Sequence, residues 1–195
     1  MTNFGQNDIL VEIQVNGGGK MLIRKGKTGD IKRVGEIYDN IITEQENGRA
    51  NVGWVRGVYP TEQTALDALN ANELFVMEDN DEVVAAAKIN KIQVPEYANA
   101  DWKRKDAPDD KIMVLHTLVV DPSASGKGYG SAFVKFYEEF ALDNGCPFLR
   151  MDTNEKNKNA RRLYAKLGYD EVGIVPCNFN GIEGVGLVCL EKTLQ

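Results

Sequence analysis

Ile112-Met113-Val114-Leu115-His116-Thr117-Leu118-Val119-Val120-Asp121-Pro122, with Ser125-Gly126-Lys127-Gly128-Tyr129-Gly130-Ser131 close behind it, is the stretch on which the fold turns. Residues 112–120 are almost all apolar and end on Asp-Pro, the pattern of a central strand buried on both faces. After the glycines, Ala132, Phe133, Phe136, Tyr137, Phe140 and Ala141 recur at helical spacing, and Gly145 supplies a stop. A strand, a glycine-rich loop and a helix in that order can make an anion cradle. Without Cβ atoms, successive backbone N–H groups approach a ligand closely, and the helix N-terminus adds partial positive charge. A plain tight turn would use the same residues, but glycines at alternating positions in front of a helix favour the anion site.

Two familiar phosphate loops fail on spacing. A P-loop needs Ser or Thr after Gly-Lys, where this chain has Gly128. A dinucleotide fingerprint begun at Gly126 puts its third glycine at Ser131, and one begun at Gly128 puts it at Phe133. Asp152, at the end of the next apolar run, is all that keeps a dinucleotide reading open.

Working outward, Met21 to Arg24 read as a short strand. Thr28 to Asp30 start a helix whose apolar residues Ile31, Val34, Ile37, Tyr38, Ile41 and Ile42 fall three and four apart. Tyr59-Pro60-Thr61-Glu62 opens a second helix with Thr61 or a neighbour as cap and Ala65, Leu66 and Leu69 inward. Leu74 to Met77 and Val83 to Ile92 read as a hairpin joined through Asp79-Asn80-Asp81. The polar segment from Gln93 to Asp110 reads as a functional or mobile loop. Residues 1–20, which contain a strand-like Ile9 to Ile13 and end in Asn16-Gly17-Gly18-Gly19, read as an appended arm on one domain spanning 21–195.

Downstream lies Asn157-x-x-Ala160-x-x-Leu163-Tyr164-x-Lys166-x-Gly168-Tyr169. Together with Leu118-x-Val120-x-Pro122 and the glycine loop, it resembles the GNAT N-acetyltransferase family. In the family's loop an Arg or Gln stands two residues before a Gly-x-Gly/Ala pair. Gly128 and Gly130 fit that pair, and Ser125 stands at the Arg/Gln position as a departure.

The resemblance implies an α/β GNAT fold: a mixed central sheet with a splayed parallel strand pair, flanked by about four helices. It implies acetyl-CoA as acyl donor, with no metal. Backbone around Leu118, Val119 and Val120 would hold the pantetheine arm and polarise the carbonyl. Ser125, Gly126, Lys127, Gly128, Tyr129, Gly130 and Ser131 would hold the pyrophosphate. Asn157 would contact the coenzyme arm while capping its own helix. Tyr164 matches a tyrosine that protonates the departing thiolate, and its ordinary pKa of roughly 10 suits that task. His116, the one histidine, resembles in position one of two histidines serving as base in serotonin N-acetyltransferase. The other would fall at Val114. By strand alternation His116 should share a face with Val114 and Leu118. The acceptor would be gripped by Trp54, Tyr59, Tyr97, Trp102 and the turn Asn178-Phe179-Asn180-Gly181.

The expected reaction is acetyl transfer to a primary amine of a small molecule, peptide or protein. A catalytically weak acyl-CoA-binding or sensor protein is the second function class, kept open by Ser125 and the single histidine. A formal net charge of −6 argues against nucleic acid as a partner and requires any phosphate to be held by local dipoles. Three cysteines without close spacing form neither a disulfide framework nor a metal motif. No cationic-then-apolar leader or membrane-length apolar run is visible, so a cytoplasmic protein with no membrane partner is expected. The oligomeric state is left open, a homodimer included.

Overall fold

The structure is a computed structural model that describes residues 10–14 and 20–195. The chain runs β1 (Leu10–Gln14), β2 (Lys20–Lys25), α1 (Ile31–Glu46), α2 (Glu62–Asn70), β3 (Leu74–Asp79), β4 (Glu82–Asn90) and β5 (Ile112–Val120). It continues with α3 (Tyr129–Asp143), β6 (Phe148–Asn154), α4 (Lys158–Lys166), β7 (Asp170–Phe179) and β8 (Ile182–Thr193). The sheet order is β1-β2-β3-β4-β5-β6-β8-β7, and β5–β6 is the one parallel pair among the described strands. Part of the expected arm therefore joins the sheet, as β1 pairs with β2. Its glycine stretch, 17–19, lies outside the described residues. Among those described, no helix is long and apolar enough to cross a membrane.

Local chemistry explains most of these elements. On α1, Ile31, Val34, Ile37, Tyr38 and Ile42 are buried, and Thr61 caps α2, with the Thr64 hydroxyl accepting from its N–H at 3.0 Å. Asn80 and Asp81 both have positive φ, which closes the β3–β4 hairpin tightly. β4 stops at Asn90, short of the expected Ile92. The Asn90 Oδ1 accepts from the Ile92 N–H at 2.9 Å, and Ile92 turns out to solvent at 63% exposure.

α3 and α4 cover one face of the sheet, burying Phe133, Phe136, Tyr137 and Tyr164. α1 and α2 cover the opposite face over β3, β4 and the end of β5. The segment from Gln93 to Asp110 covers the rest of that second face. Tyr97 and Trp102 are buried there against Ile112, Val114, Val185 and Leu187, and Arg150 stacks 4.2 Å from the Trp102 ring. It forms a structural cover, where the sequence reading left a functional or a mobile loop as the alternatives.

β5 carries a bulge at Thr117, a β-branched residue with φ of 53°. Lys88 and Ala86 of β4 face His116 and Val119, so β5 has one extra residue there. The extra residue inverts the alternation of side chains. Met113 and Leu115 point to the α3 side before it, and Leu118 and Val120 point there after it. Leu118 consequently lies on the opposite face from Val114 and His116, which corrects the expectation drawn from simple alternation. The β5–β6 ladder ends at Leu115↔Met151, while β6 stays paired with β8 as far as Asn154↔Leu187. Beyond Leu115 the two parallel strands part.

Tyr137 sits beneath that parting point, fully buried on α3, its hydroxyl 2.6 Å from the Met113 carbonyl and 3.2 Å from that of Arg150. One donor thus serves both strands. Tyr137→Phe should lower unfolding free energy by about 1–2 kcal/mol, read as a reduced urea midpoint with an unchanged slope.

Candidate active site

A cleft of about 570 Å³ opens where β5 and β6 part, and it reaches both faces of the sheet. On the α3–α4 side it meets the glycine loop. Gly126 and Gly128 have φ of 81° and 83°, conformations that a β-branched residue adopts only with strain. A Cβ at either position would meet nothing within 4 Å, so the loop backbone lies open. Gly128 is the N-cap of α3, and Tyr129, Gly130 and Ser131 are the first turn of that helix, not loop as expected. Among the described residues, the N–H groups of Gly126 through Ser131 donate to no protein acceptor. A row of free amides at a helix N-terminus fits an anionic diphosphate.

Leu118, Val119, Val120, Ser125, Gly126, Gly128, Tyr129, Gly130, Ser131, Asn157 and Tyr164 all line the cleft, as the sequence suggested. A Cβ on Gly130 would lie 3.2 Å from Leu163, which lets α3 start tight against α4. Asn157 caps α4, its Oδ1 accepting from the Ala160 N–H at 3.2 Å. Lys127 turns away from the cleft toward solvent, its Nζ 3.5 Å from the Asp79 carboxylate, which also accepts from the Tyr129 hydroxyl.

Tyr164 is 6% exposed and faces the cleft. Burial, with the nearby Asp152 charge, raises its phenol above the ordinary value, so it remains a proton donor through neutral pH. His116 is placed elsewhere. Its Nε2 donates to Asn90 Oδ1 at 2.9 Å, and Asn90 Nδ2 in turn donates to Glu73 at 2.8 Å. Burial, and then Lys88, push its pKa down to about 4, which leaves a neutral, locally satisfied ring outside the cleft lining.

The carboxylate on the cleft is Asp152, which the sequence flagged only as a possible nucleotide contact. It shares its face of β6 with Arg150, opposite the anion cradle, and accepts from the Tyr97 hydroxyl at 2.7 Å. Although reachable from the cleft, its carboxylate is surrounded by protein. Burial chiefly, and Glu96 to a smaller extent, raise its pKa to about 6 against the lowering hydrogen bond from Tyr97. The available signal was an acidic residue closing an apolar strand next to the expected splay.

Trp54 and Tyr59 line the second-face opening, and Phe179 and Ile182 at the β7–β8 turn meet them there. Trp54 packs edge-on to Tyr38 and Tyr59 at 6.0 and 6.4 Å. The Tyr59 hydroxyl is bonded to that of Thr117 at the bulge. Tyr97 and Trp102 are not in the lining, because both are spent on the core; Tyr97 reaches the cleft through Asp152 alone. The loop between α1 and α2 is held by Gln45, which accepts from the Gly53 N–H at 2.6 Å and donates to the Trp54 carbonyl at 2.7 Å. Gly53 rests directly on Asn154, where a Cβ would fall 2.1 Å from Nδ2. Neither contact was foreseeable from spacing.

The model of the acetyltransferase (GNAT) family matches residues 40–169. A Bacillus subtilis (strain 168) protein named Uncharacterized N-acetyltransferase YhfO is 29% identical over 50% of this chain and 58% of its own length. The Bos taurus Thialysine N-epsilon-acetyltransferase is 33% identical over 39% of this chain and 41% of its own. The chain thus spans about half the length of these relatives. A crystal structure of a GNAT-family acetyltransferase from Streptococcus agalactiae 2603 superposes with a TM-score of 0.76 at 19% identity, covering 90% of this chain and 96% of that one.

Asp152 has a measurable signature in stability. Its folded pKa of about 6 lies above the ordinary 3.8, so above pH 6 folding buries a charge that the unfolded chain hydrates freely. The cost fades as pH falls through 6, when the folded state takes up the proton first. Asp152→Asn should therefore melt higher than wild type at pH 8, with the gap shrinking toward pH 4. A gap independent of pH would refute the raised pKa.

Proposed function

The chain belongs to the acetyltransferase (GNAT) family, and from that membership we propose that it transfers an acetyl group from acetyl-CoA to a primary amine by direct attack on the thioester. The observation that carries this reading is the position of Tyr164 and Asp152 on one cleft whose α3–α4 end has free backbone amides. Those amides suit the coenzyme pyrophosphate, and the β5 edge beyond Leu115, left without a β6 partner, suits the pantetheine arm and the thioester oxygen.

The amine then approaches from the second face, where Asp152 is ionised at neutral pH and takes a proton from the incoming ammonium. The amine nitrogen bonds to the carbonyl carbon, the C–S bond breaks with its electron pair on sulfur, Tyr164 gives its proton to that sulfur, and the nitrogen sheds its second proton to solvent. Asp152 passes its proton to solvent, and Tyr164 is reprotonated from there. His116 has no part in proton transfer in this scheme. Acceptance of an amine by the bovine relative, implied in its name, is in keeping with the reading. The location of both a proton donor and a carboxylate on the cleft favours catalysis over an acyl-CoA sensor, despite Ser125.

Thiol release from acetyl-CoA with an amine panel tests these roles. Tyr164→Phe should lower kcat by about 10²-fold while coenzyme affinity holds, and Asp152→Asn should lower kcat/KM and abolish an acidic limb near pH 6. His116→Ala should keep that limb. Coenzyme binding without turnover of any amine would instead establish a sensor. Gly128→Val, forced into φ of 83°, should fold yet lose acetyl-CoA affinity at least tenfold by calorimetry.

A further inference from the structure

The second-face opening, to which the proposed reaction assigns the acceptor, carries information about the acceptor's chemistry. Its walls are Ile41, Trp54, Tyr59, Phe179, Ile182 and Leu187. Among the described residues lining the whole cleft, Asp152 is the one charged side chain, and none is Lys, Arg or His. Near this opening the Thr117 hydroxyl is bonded to that of Tyr59 and Asp152 accepts from Tyr97, and the other polar side chains of the lining there, Asn51, Thr153 and Asn154, are uncharged.

We infer that the acceptor is a monoamine on an apolar, carboxylate-free skeleton, aromatic or aliphatic, whose amino group is directed to Asp152 while its carbon body fills the Trp54–Ile182 end. This rests on the acetyl-transfer reading and narrows it. A free amino acid would bring its α-carboxylate into a cleft that offers no cation and already holds a like charge. A polyamine would place a second ammonium among Trp54, Phe179 and Ile182 with no carboxylate to receive it. A peptide amino terminus would have to desolvate its amides against walls made chiefly of Ile41, Trp54, Tyr59, Phe179, Ile182 and Leu187. An apolar body loses nothing on entering and gains from leaving water.

The test is the initial rate of thiol release from saturating acetyl-CoA with wild-type protein and five probes: phenethylamine, n-hexylamine, lysine, spermidine and an alanine-terminated tetrapeptide. The two apolar monoamines should exceed the other three in kcat/KM by at least 10²-fold, since a polar group left unpaired in a closed site is rejected strongly. Ile182→Arg, which adds a cation at the opening, should raise kcat/KM for lysine at least tenfold and lower that for phenethylamine. A melting curve matching wild type would show the variant folded. Preference for lysine, spermidine or the tetrapeptide would overturn the inference and leave acetyl transfer standing. Turnover of none of the five, with acetyl-CoA still raising the melting temperature, would overturn both.

Discussion

The parting of β5 and β6 is the constraint from which the rest follows. Two parallel strands in the middle of a sheet ordinarily stay paired along their length, because each separated residue leaves backbone groups without partners. Here the ladder is given up after Leu115↔Met151, at the place where Thr117 adds an extra residue to β5. The bulge turns Leu118 and Val120 toward α3, and the β6 pairing with β8 continues undisturbed, so the sheet survives with a slot through it. Tyr137 bonds to carbonyls of both strands below the slot, and Tyr59 bonds to Thr117 at its edge.

A slot through a sheet has two ends with different chemistry, and this chain uses the difference. On the α3–α4 side the free amides of Gly126 through Ser131 and the helix N-terminus form a positive field made of dipoles. Such a field suits a polyphosphate even on a chain of net charge −6 with no lysine in the cleft lining. On the other side a single carboxylate stands among aromatic and aliphatic walls. Asp152 and Tyr164 come from strand and helix on opposite sides of the slot. Burial raises the pKa of both, and with opposite consequences: the carboxylate becomes a stronger base near neutrality, and the phenol is kept protonated.

Much of this was written along the chain. Apolar spacing in α1 and α3, the paired positive-φ residues after β3, the glycines before α3 and the Asn157 cap are local patterns with local causes, so they could be read residue by residue. The cleft lining at Leu118 to Val120 and Ser125 to Ser131, with Asn157 and Tyr164, was legible for the same reason, and only Lys127 among these points elsewhere. The polar segment from Gln93 to Asp110 misled because most of its charges face solvent while Tyr97 and Trp102, with Val94, Ala100 and Ala107 against them, fill the core behind.

The sequence by itself determined most of the elements, the glycine loop before α3 and the tyrosine on α4, since each depends on neighbours within a few positions. Only the tertiary structure decided which face each β5 residue takes, because one bulge residue reverses the alternation for everything after it. It also put His116 outside the cleft lining and Asp152 on it. A side chain's fitness as a base depends on what surrounds it in space: Asn90 and Lys88 around the first, Tyr97 and an open cleft around the second.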